Sequence, residues 1–227
     1  MRLPFMKETW SMVLPVLGAA ILLVLWGVRS QRTWALALGS VLIVVAALML
    51  NFFRDFERPA PGGLGPKTVL SPADGLITIV REVQEPMHLK KKALQIAIFM
   101  NPLDNHVQRA PVDGRVVGKD YYPGEYLAAY ADKADLVNEQ AHLVVQPDKP
   151  AGSRKPPGLM VIKQIAGMLC HRVKTDEAVG DRIARGQRIG RILLGSRVDL
   201  FLPLGSKSLV KVGDRVLAGQ TPLGELP

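Results

Sequence analysis

Two long uncharged apolar runs near the N-terminus restrict the architecture of this chain more than anything that follows them. Trp10 to Val28 carries no charged residue, and neither does Trp34 to Phe53. As a helix, at about 1.5 Å of rise per residue, each can cross a hydrocarbon layer about 30 Å thick. Only Arg29-Ser30-Gln31-Arg32-Thr33 separates them, so the two helices must be antiparallel neighbours. Trp10, Trp26 and Trp34 stand near the ends of the runs, where indole rings favour the lipid–water boundary. A cleaved signal peptide has an apolar core of roughly 7–15 residues and no second span behind it. The pair therefore reads as a two-helix transmembrane anchor over residues 1–53. Arg2 and Lys7 precede it and Arg54, Arg58 and Lys67 follow it, against Arg29 and Arg32 in the turn. That bias favours both ends in the cytoplasm and places the rest of the chain on the cytoplasmic side of the cell (inner) membrane.

Residues 54–227 suffice for one buried core. The net charge of +9 calls for an anionic neighbour, and anionic lipid headgroups meet that need. No basic stripe interleaved with aromatic residues is present, so nucleic acid is not expected as a partner. His88-Leu89-Lys90-Lys91-Lys92 is either a lipid-touching run or a solvated turn. The single cysteine, Cys170, excludes a disulfide framework and a Cys-rich metal centre, and no metal is expected.

After a Pro/Gly linker at Pro59 to Pro66, short β-branched runs alternate with Gly and Pro, the pattern of a many-stranded sheet. Strands are expected at Leu76–Val80, Leu94–Met100, Arg115–Val117, His142–Val145, Leu159–Ile165 and Val198–Leu202. Two segments are echoed. Pro72-Ala73-Asp74-Gly75 returns as Pro111-Val112-Asp113-Gly114, and Val179 to Gln187 returns thirty-three residues later as Val212 to Gln220. In the second pair, Gly-Asp makes a tight turn and Gly-Gln opens the next. The pattern resembles the hairpins of lipoyl-like, barrel-sandwich-hybrid domains. The expected fold class is mainly β, α+β at most: a barrel-sandwich-hybrid-like antiparallel β domain behind a two-helix hairpin.

The segment with most chemical potential is Gly186 to Pro203. Gly195-Ser196 lies between the apolar run Ile192-Leu193-Leu194 and the strand from Val198. A Gly-Ser pair is usually a turn. In apolar surroundings, a serine hydroxyl can instead attack the preceding carbonyl if a base accepts its proton. Of His88, His106, His142 and His171, His106 stands out, because it follows a central strand with Asp104 before it and Arg109 after it. From spacing alone, a solvent-facing ring is the commoner explanation.

Together these residues resemble the phosphatidylserine decarboxylase proenzymes, in particular their short (type A) branch. The likeness runs from Phe52-Phe53-Arg54-Asp55 through Ser71-Pro72-Ala73-Asp74-Gly75, the stretch from Phe99 to Arg109, and Tyr122-Pro123-Gly124. It continues at Asp132-Lys133-Ala134 and Gln164-Ile165-Ala166-Gly167, and ends in Leu194-Gly195-Ser196-Arg197-Val198-Asp199. The resemblance implies an inactive precursor that cuts itself between Gly195 and Ser196. The products would be a large chain, 1–195, and a small chain, 196–227, which stay together as a heterodimer, with a higher oligomer left open. Ser196 would become a covalent pyruvoyl group, the only cofactor. Its ketone would form a Schiff base with phosphatidylserine and draw off the electron pair as carbon dioxide leaves, giving phosphatidylethanolamine. By the same resemblance, Asp74 and His106 activate Ser196 or handle protons, and Asp104 and Arg109 support them. Arg109 stands where the longer branch has a second histidine, and a guanidinium is no ordinary base. Two other readings remain at this point: a pyruvoyl decarboxylase of another amino-acid-containing substrate, and a non-enzymatic, membrane-tethered lipoyl-like module.

Overall fold

In the computed structural model, the described residues are all except 1–4, 7–8, 129–133, 151–152, 154–155, 169–172 and 193–195. The chain divides into two compact units, Met1–Glu57 and Arg58–Pro227. The first is a helical hairpin of α1 (Thr9–Ser30) and α2 (Thr33–Phe52), each long and apolar enough to cross a membrane. Its seam is made of small side chains. Val13, Ala20 and Gly27 are buried on α1, and Ala35, Gly39 and Ala46 on α2. Spacings of seven on α1, and of four and seven on α2, keep one stripe of each helix facing the other. At Gly39 an added Cβ would stand 2.6 Å from Val24 Cγ2, so glycine is what permits this approach. Leu14, Leu22, Leu25, Val41 and Leu48 point outward and are exposed.

The second unit is mainly antiparallel β. β1 (Thr68–Leu70), β2 (Gly75–Glu85), β3 (Lys91–Met100), β4 (Val107–Arg109) and β5 (Gly114–Tyr122) precede a short helix, α3 (Ala134–Val137). There follow β6 (Gln140–Pro147), β7 (Met160–Ile165), β8 (Val173–Thr175), β9 (Arg182–Ile183) and β10 (Arg188–Ile192). β11 (Ser196–Pro203), β12 (Lys207–Ser208), β13 (Arg215–Val216) and β14 (Pro222–Glu225) complete the set. Eight strands form a curled half-barrel in the order β13-β2-β3-β11-β7-β6-β5-β9. Two three-stranded sheets, β1-β14-β12 and β4-β10-β8, accompany it.

Period-two alternation sorts the side chains. Ile96, Ile98 and Met100 on β3, Val198, Leu200 and Leu202 on β11, and Met160 and Ile162 on β7 enter one core with Val69, Ala110, Ile189, Ile192 and Leu223 from the small sheets. On the other face of the same strands lie Gln95, Arg197, Asp199 and Lys163, with His142 beside them on β6. All six strands expected from the sequence lie in longer strands here, apart from Leu159, one residue before β7. The basic run at His88 is the tip of the β2–β3 hairpin, where the Glu85 carboxylate accepts the N–H groups of Met87, His88 and Leu89.

The echoed segments are related in space as in sequence. Ile77 N–H bonds Asp214 O at 2.9 Å, and Val116 N–H bonds Asp181 O at 2.9 Å. Gly219 N–H bonds Ser71 O, and Gly186 N–H bonds Ala110 O, both at 2.8 Å. Each Pro-x-Asp-Gly turn is thus clamped by its own Gly-Asp…Gly-Gln segment, which makes the fold a duplicated one.

Candidate active site

The strand registers place Ser196 in a row across the half-barrel. Val216 pairs with Gly75, Leu76 with Phe99, Ser196 with Met100, and Arg197 with Ile165. Val216, Gly75, Met100, Ser196 and Ala166 therefore stand abreast at one end of the sheet, with Asp74 one residue beyond. At Gly75 an added Cβ would meet Phe99 O at 2.2 Å, so only glycine lets β2 lie on β3 here. Two strand spacings separate the Asp74 and Ser196 strands, or about 10 Å.

His106 reaches the same end by another route. Its carbonyl accepts Ile192 N–H at 3.2 Å, where β10 meets β4. Ser196 is pinned to Met100 and Ile192 to His106. The chain between these two pairings is residues 101–105 on one side and 193–195 on the other. Gly195, the expected partner in cleavage, lies outside the described residues, as does His171.

Ser196 is fully buried, and its hydroxyl donates to Met100 Sδ at 3.3 Å. His106 is also fully buried, so a solvent-facing ring is not what this position holds. Its Nδ1 lies 2.9 Å from Asp104 O. A carbonyl only accepts, so Nδ1 carries the proton and the lone pair of the neutral ring is on Nε2. Asp104 acts on the ring through its backbone. Its carboxylate instead takes Asn101 N–H at 2.8 Å and Arg215 Nη2 at 2.5 Å.

Asp74 is buried and held on both oxygens. Arg58 grips it as a fork, with Nη1 at 2.5 Å and Nη2 at 2.9 Å, and Ala218 N–H donates to Oδ1 at 2.7 Å. Among the described residues these are its partners, and His106 is not one of them. The duplicated fold supplies a comparison, because Asp113 accepts Arg185 N–H at 2.9 Å in the equivalent place. Capping the turn is common to both aspartates, and the Arg58 fork is what sets Asp74 apart. Arg109 is buried, donates Nη1–H to Gly186 O at 2.8 Å, and packs its Cδ 2.8 Å from where a Cβ on Gly219 would be. It braces both Gly-Gln turns.

The opposite face of β11 carries buried charge. Arg197 Nε and Nη2 each lie 2.6 Å from the Asp199 carboxylate, which also accepts Gln95 Nε2 at 2.8 Å. Burial alone would lower the Arg197 pKa, but the Asp199 hydrogen bonds and charge outweigh it and hold it above its ordinary value. Burial pushes the Lys163 ammonium down. His142 is pushed down to about 3, chiefly by burial and then by the charges of Lys163 and His88. Arg81, Gln95, Tyr122, His142, Lys163 and Phe201 line a cavity of about 510 Å³ on this face. A second cavity, of about 440 Å³, lies by Asp113 and Arg185 and contains none of Ser196, His106 or Asp74. No cluster of His, Cys, Asp or Glu able to hold a metal occurs among the described residues.

The family model of phosphatidylserine decarboxylase matches residues 45–224. The chain belongs to the phosphatidylserine decarboxylase family. It is 43% identical over its whole length to a phosphatidylserine decarboxylase proenzyme of Symbiobacterium thermophilum, covering 98% of that protein. The corresponding proenzyme of Cupriavidus pinatubonensis is 38% identical, with 97% of this chain and 94% of the relative covered. That of Nitrosomonas europaea is 40% identical, over 96% and 94%. The activity is that of the family: a pyruvoyl-dependent lyase of phospholipid biosynthesis, made as a zymogen that is cleaved into two chains, acting on phosphatidylserine. Sequence reasoning gave no site role to three residues near the candidate site. Met100 looks like core, Gln108 is one residue of the Phe99–Arg109 stretch with no role of its own, and Arg58 counts only as a charge flanking the anchor.

Proposed function

We propose that Ser196 is the residue at which this decarboxylase cuts itself and from which its pyruvoyl group is made. The observation that carries this is the placement of the hydroxyl: fully buried, on the first residue of a central strand, at the sheet end that His106 reaches. Ser196 Oγ attacks the Gly195 carbonyl carbon and gives up its proton. The Gly195–Ser196 C–N bond breaks as the nitrogen gains a proton, leaving an ester. Loss of the Ser196 α-hydrogen then expels residues 1–195 as a carboxylate and leaves a dehydroalanine, which water converts to the ketone with release of ammonia.

The surroundings fit such a group. β11 is paired to β3 from Ser196 to Pro203 and to β7 from Arg197 to Phe201, so a new terminus at 196 stays where the serine was. The same ladders support a heterodimer of 1–195 and 196–227. Once formed, the group supplies a ketone for the substrate amine and an electron sink for decarboxylation. The chain supplies the rest. His106, with its Nε2 lone pair, serves as proton acceptor, and Asp104 O fixes its tautomer. Asp74, neutralised by Arg58, holds the Ala218 turn beside the reacting end, while Arg109 braces that turn from below.

Residues 1–53 are read as the membrane anchor and 54–227 as the catalytic domain, on the cytoplasmic side of the cell membrane. The duplicated hairpins support a barrel-sandwich-hybrid-like fold, and Arg197 after the serine supports the short branch. The turns just beyond the Ser196 row carry Leu103, Met168 and Leu217, all exposed, which suits an end that meets lipid. Replacing the nucleophile tests the assignment. Ser196→Ala leaves a single uncut chain that forms no phosphatidylethanolamine; processed protein in that variant would overturn it.

A further inference from the structure

One chain of buried polar side chains joins the two reacting groups. Thr175 Oγ1 donates to Gln164 Oε1 at 2.8 Å, and Gln164 Nε2 donates to Gln108 Oε1 at 3.0 Å. Gln108 Nε2 then uses its two hydrogens on two acceptors, His106 O at 3.0 Å and Met100 Sδ at 3.6 Å. Met100 Sδ is also the acceptor for the Ser196 hydroxyl at 3.3 Å. Met100, His106, Gln108, Gln164 and Ser196 are all fully buried, so no water competes for the bonds among them; Thr175, at the far end, is half-buried.

The direction of the chain is fixed by its end. His106 O can only accept, so Gln108 must present its NH₂ to it and its oxygen to Gln164. The Gln164 amide therefore also has one orientation, and Thr175 closes the chain. An amide turned the other way would set an oxygen against the His106 carbonyl. A satisfied buried network of this kind rigidifies what it touches. What it touches here is the backbone of the imidazole and the side chain holding the nucleophile.

The sulfur suits that place. A thioether is a weak acceptor and takes no proton at ordinary pH, so it orients the hydroxyl without competing with the base. We infer that Gln108, locked by Gln164 and Thr175, is a positioning residue for self-cleavage, setting Ser196 against His106 through the Met100 thioether. This rests on Ser196 being the cleavage nucleophile.

The test uses the full chain made by cell-free synthesis into lipid nanodiscs, with the uncut fraction followed by intact mass. Met100→Leu keeps the side-chain volume and removes the acceptor. It is expected to slow the first-order cleavage at least ten-fold, while the melting midpoint of the uncut chain moves by no more than about 3 °C. Gln108→Leu is expected to slow cleavage at least as much. If the two act through one chain, the double variant is no slower than the slower single one, whereas independent contributions would multiply. Cleavage of Met100→Leu at the wild-type rate, multiplying effects, or slowing that appears only with loss of the fold would each overturn the inference. Ser196→Ala run alongside separates the two levels. If it is cut, the nucleophile assignment fails; if it stays whole while Met100→Leu cuts normally, only the positioning role fails.

Discussion

Acid should loosen the catalytic unit through one ring. His142 Nε2 lies 3.0 Å from Gln140 Oε1, which only accepts, so Nε2 carries the proton. Nδ1 then accepts from His88 Nε2 at 2.8 Å. A second proton on His142 would set two N–H groups against each other, beside Lys163, in a buried setting. The pKa is accordingly pushed from the ordinary 6.5 down to about 3, by burial first and then by the charges of Lys163 and His88. The unfolded chain takes that proton near 6.5 and the native chain only near 3. Between those values the unfolded state binds more protons, so stability is fully present above 6.5 and is lost as the pH falls toward 3. At pH 5 the loss comes to about 2 kcal/mol, which for a unit of this size lowers the melting midpoint by about 4–8 °C. The assay is a melting series on the full chain in detergent from pH 8 to pH 5, beside His142→Gln. The glutamine can donate to Gln140 and accept from His88, but it does not titrate. Wild type should show this extra fall in midpoint and the variant should not. Parallel pH curves for the two proteins would refute the reasoning.

Two further outcomes follow from the geometry. Asp74→Asn strips the charge that faces the Arg58 fork and is expected to cost about 1–3 kcal/mol and slow self-cleavage at least ten-fold. The pseudo-equivalent Asp113→Asn should cleave at the wild-type rate on the same gel; normal cleavage of Asp74→Asn would remove it from the reaction. Leu103→Asp combined with Met168→Asp is expected to raise KM for phosphatidylserine in vesicles about ten-fold while leaving a soluble short-chain substrate unaffected, as an apolar rim on the bilayer requires. Equal changes with both substrates would mean that the rim does not touch lipid.

Much of the scaffold was legible because periodicity is a local property. Two uncharged runs of membrane-spanning length specify α1 and α2, and alternation marks β3 and β11 before any partner is known. The echoes were legible too, although only the structure pairs Asp74 with Ala218 and Asp113 with Arg185. The site was less legible, because its contacts are made by register between strands far apart in sequence. Met100 meets Ser196 across 96 positions, and Gln164 meets Gln108 across 56. Nothing near Met100 distinguishes a core methionine from one that holds a hydroxyl. Arg58 reads only as a charge flanking the anchor because its partner, Asp74, lies beyond a turn and a strand. The burial of His106 is likewise invisible locally, since it comes from β4 meeting β10.

The central claim, that Ser196 becomes the pyruvoyl group, is tested most directly by the intact mass of the purified protein under denaturing conditions. The account predicts two fragments that break after Gly195, the smaller beginning at position 196, blocked to Edman degradation and lighter than a serine-started peptide by one ammonia. A single mass for the whole chain in catalytically active protein, or a small fragment that begins with an ordinary serine, would contradict it.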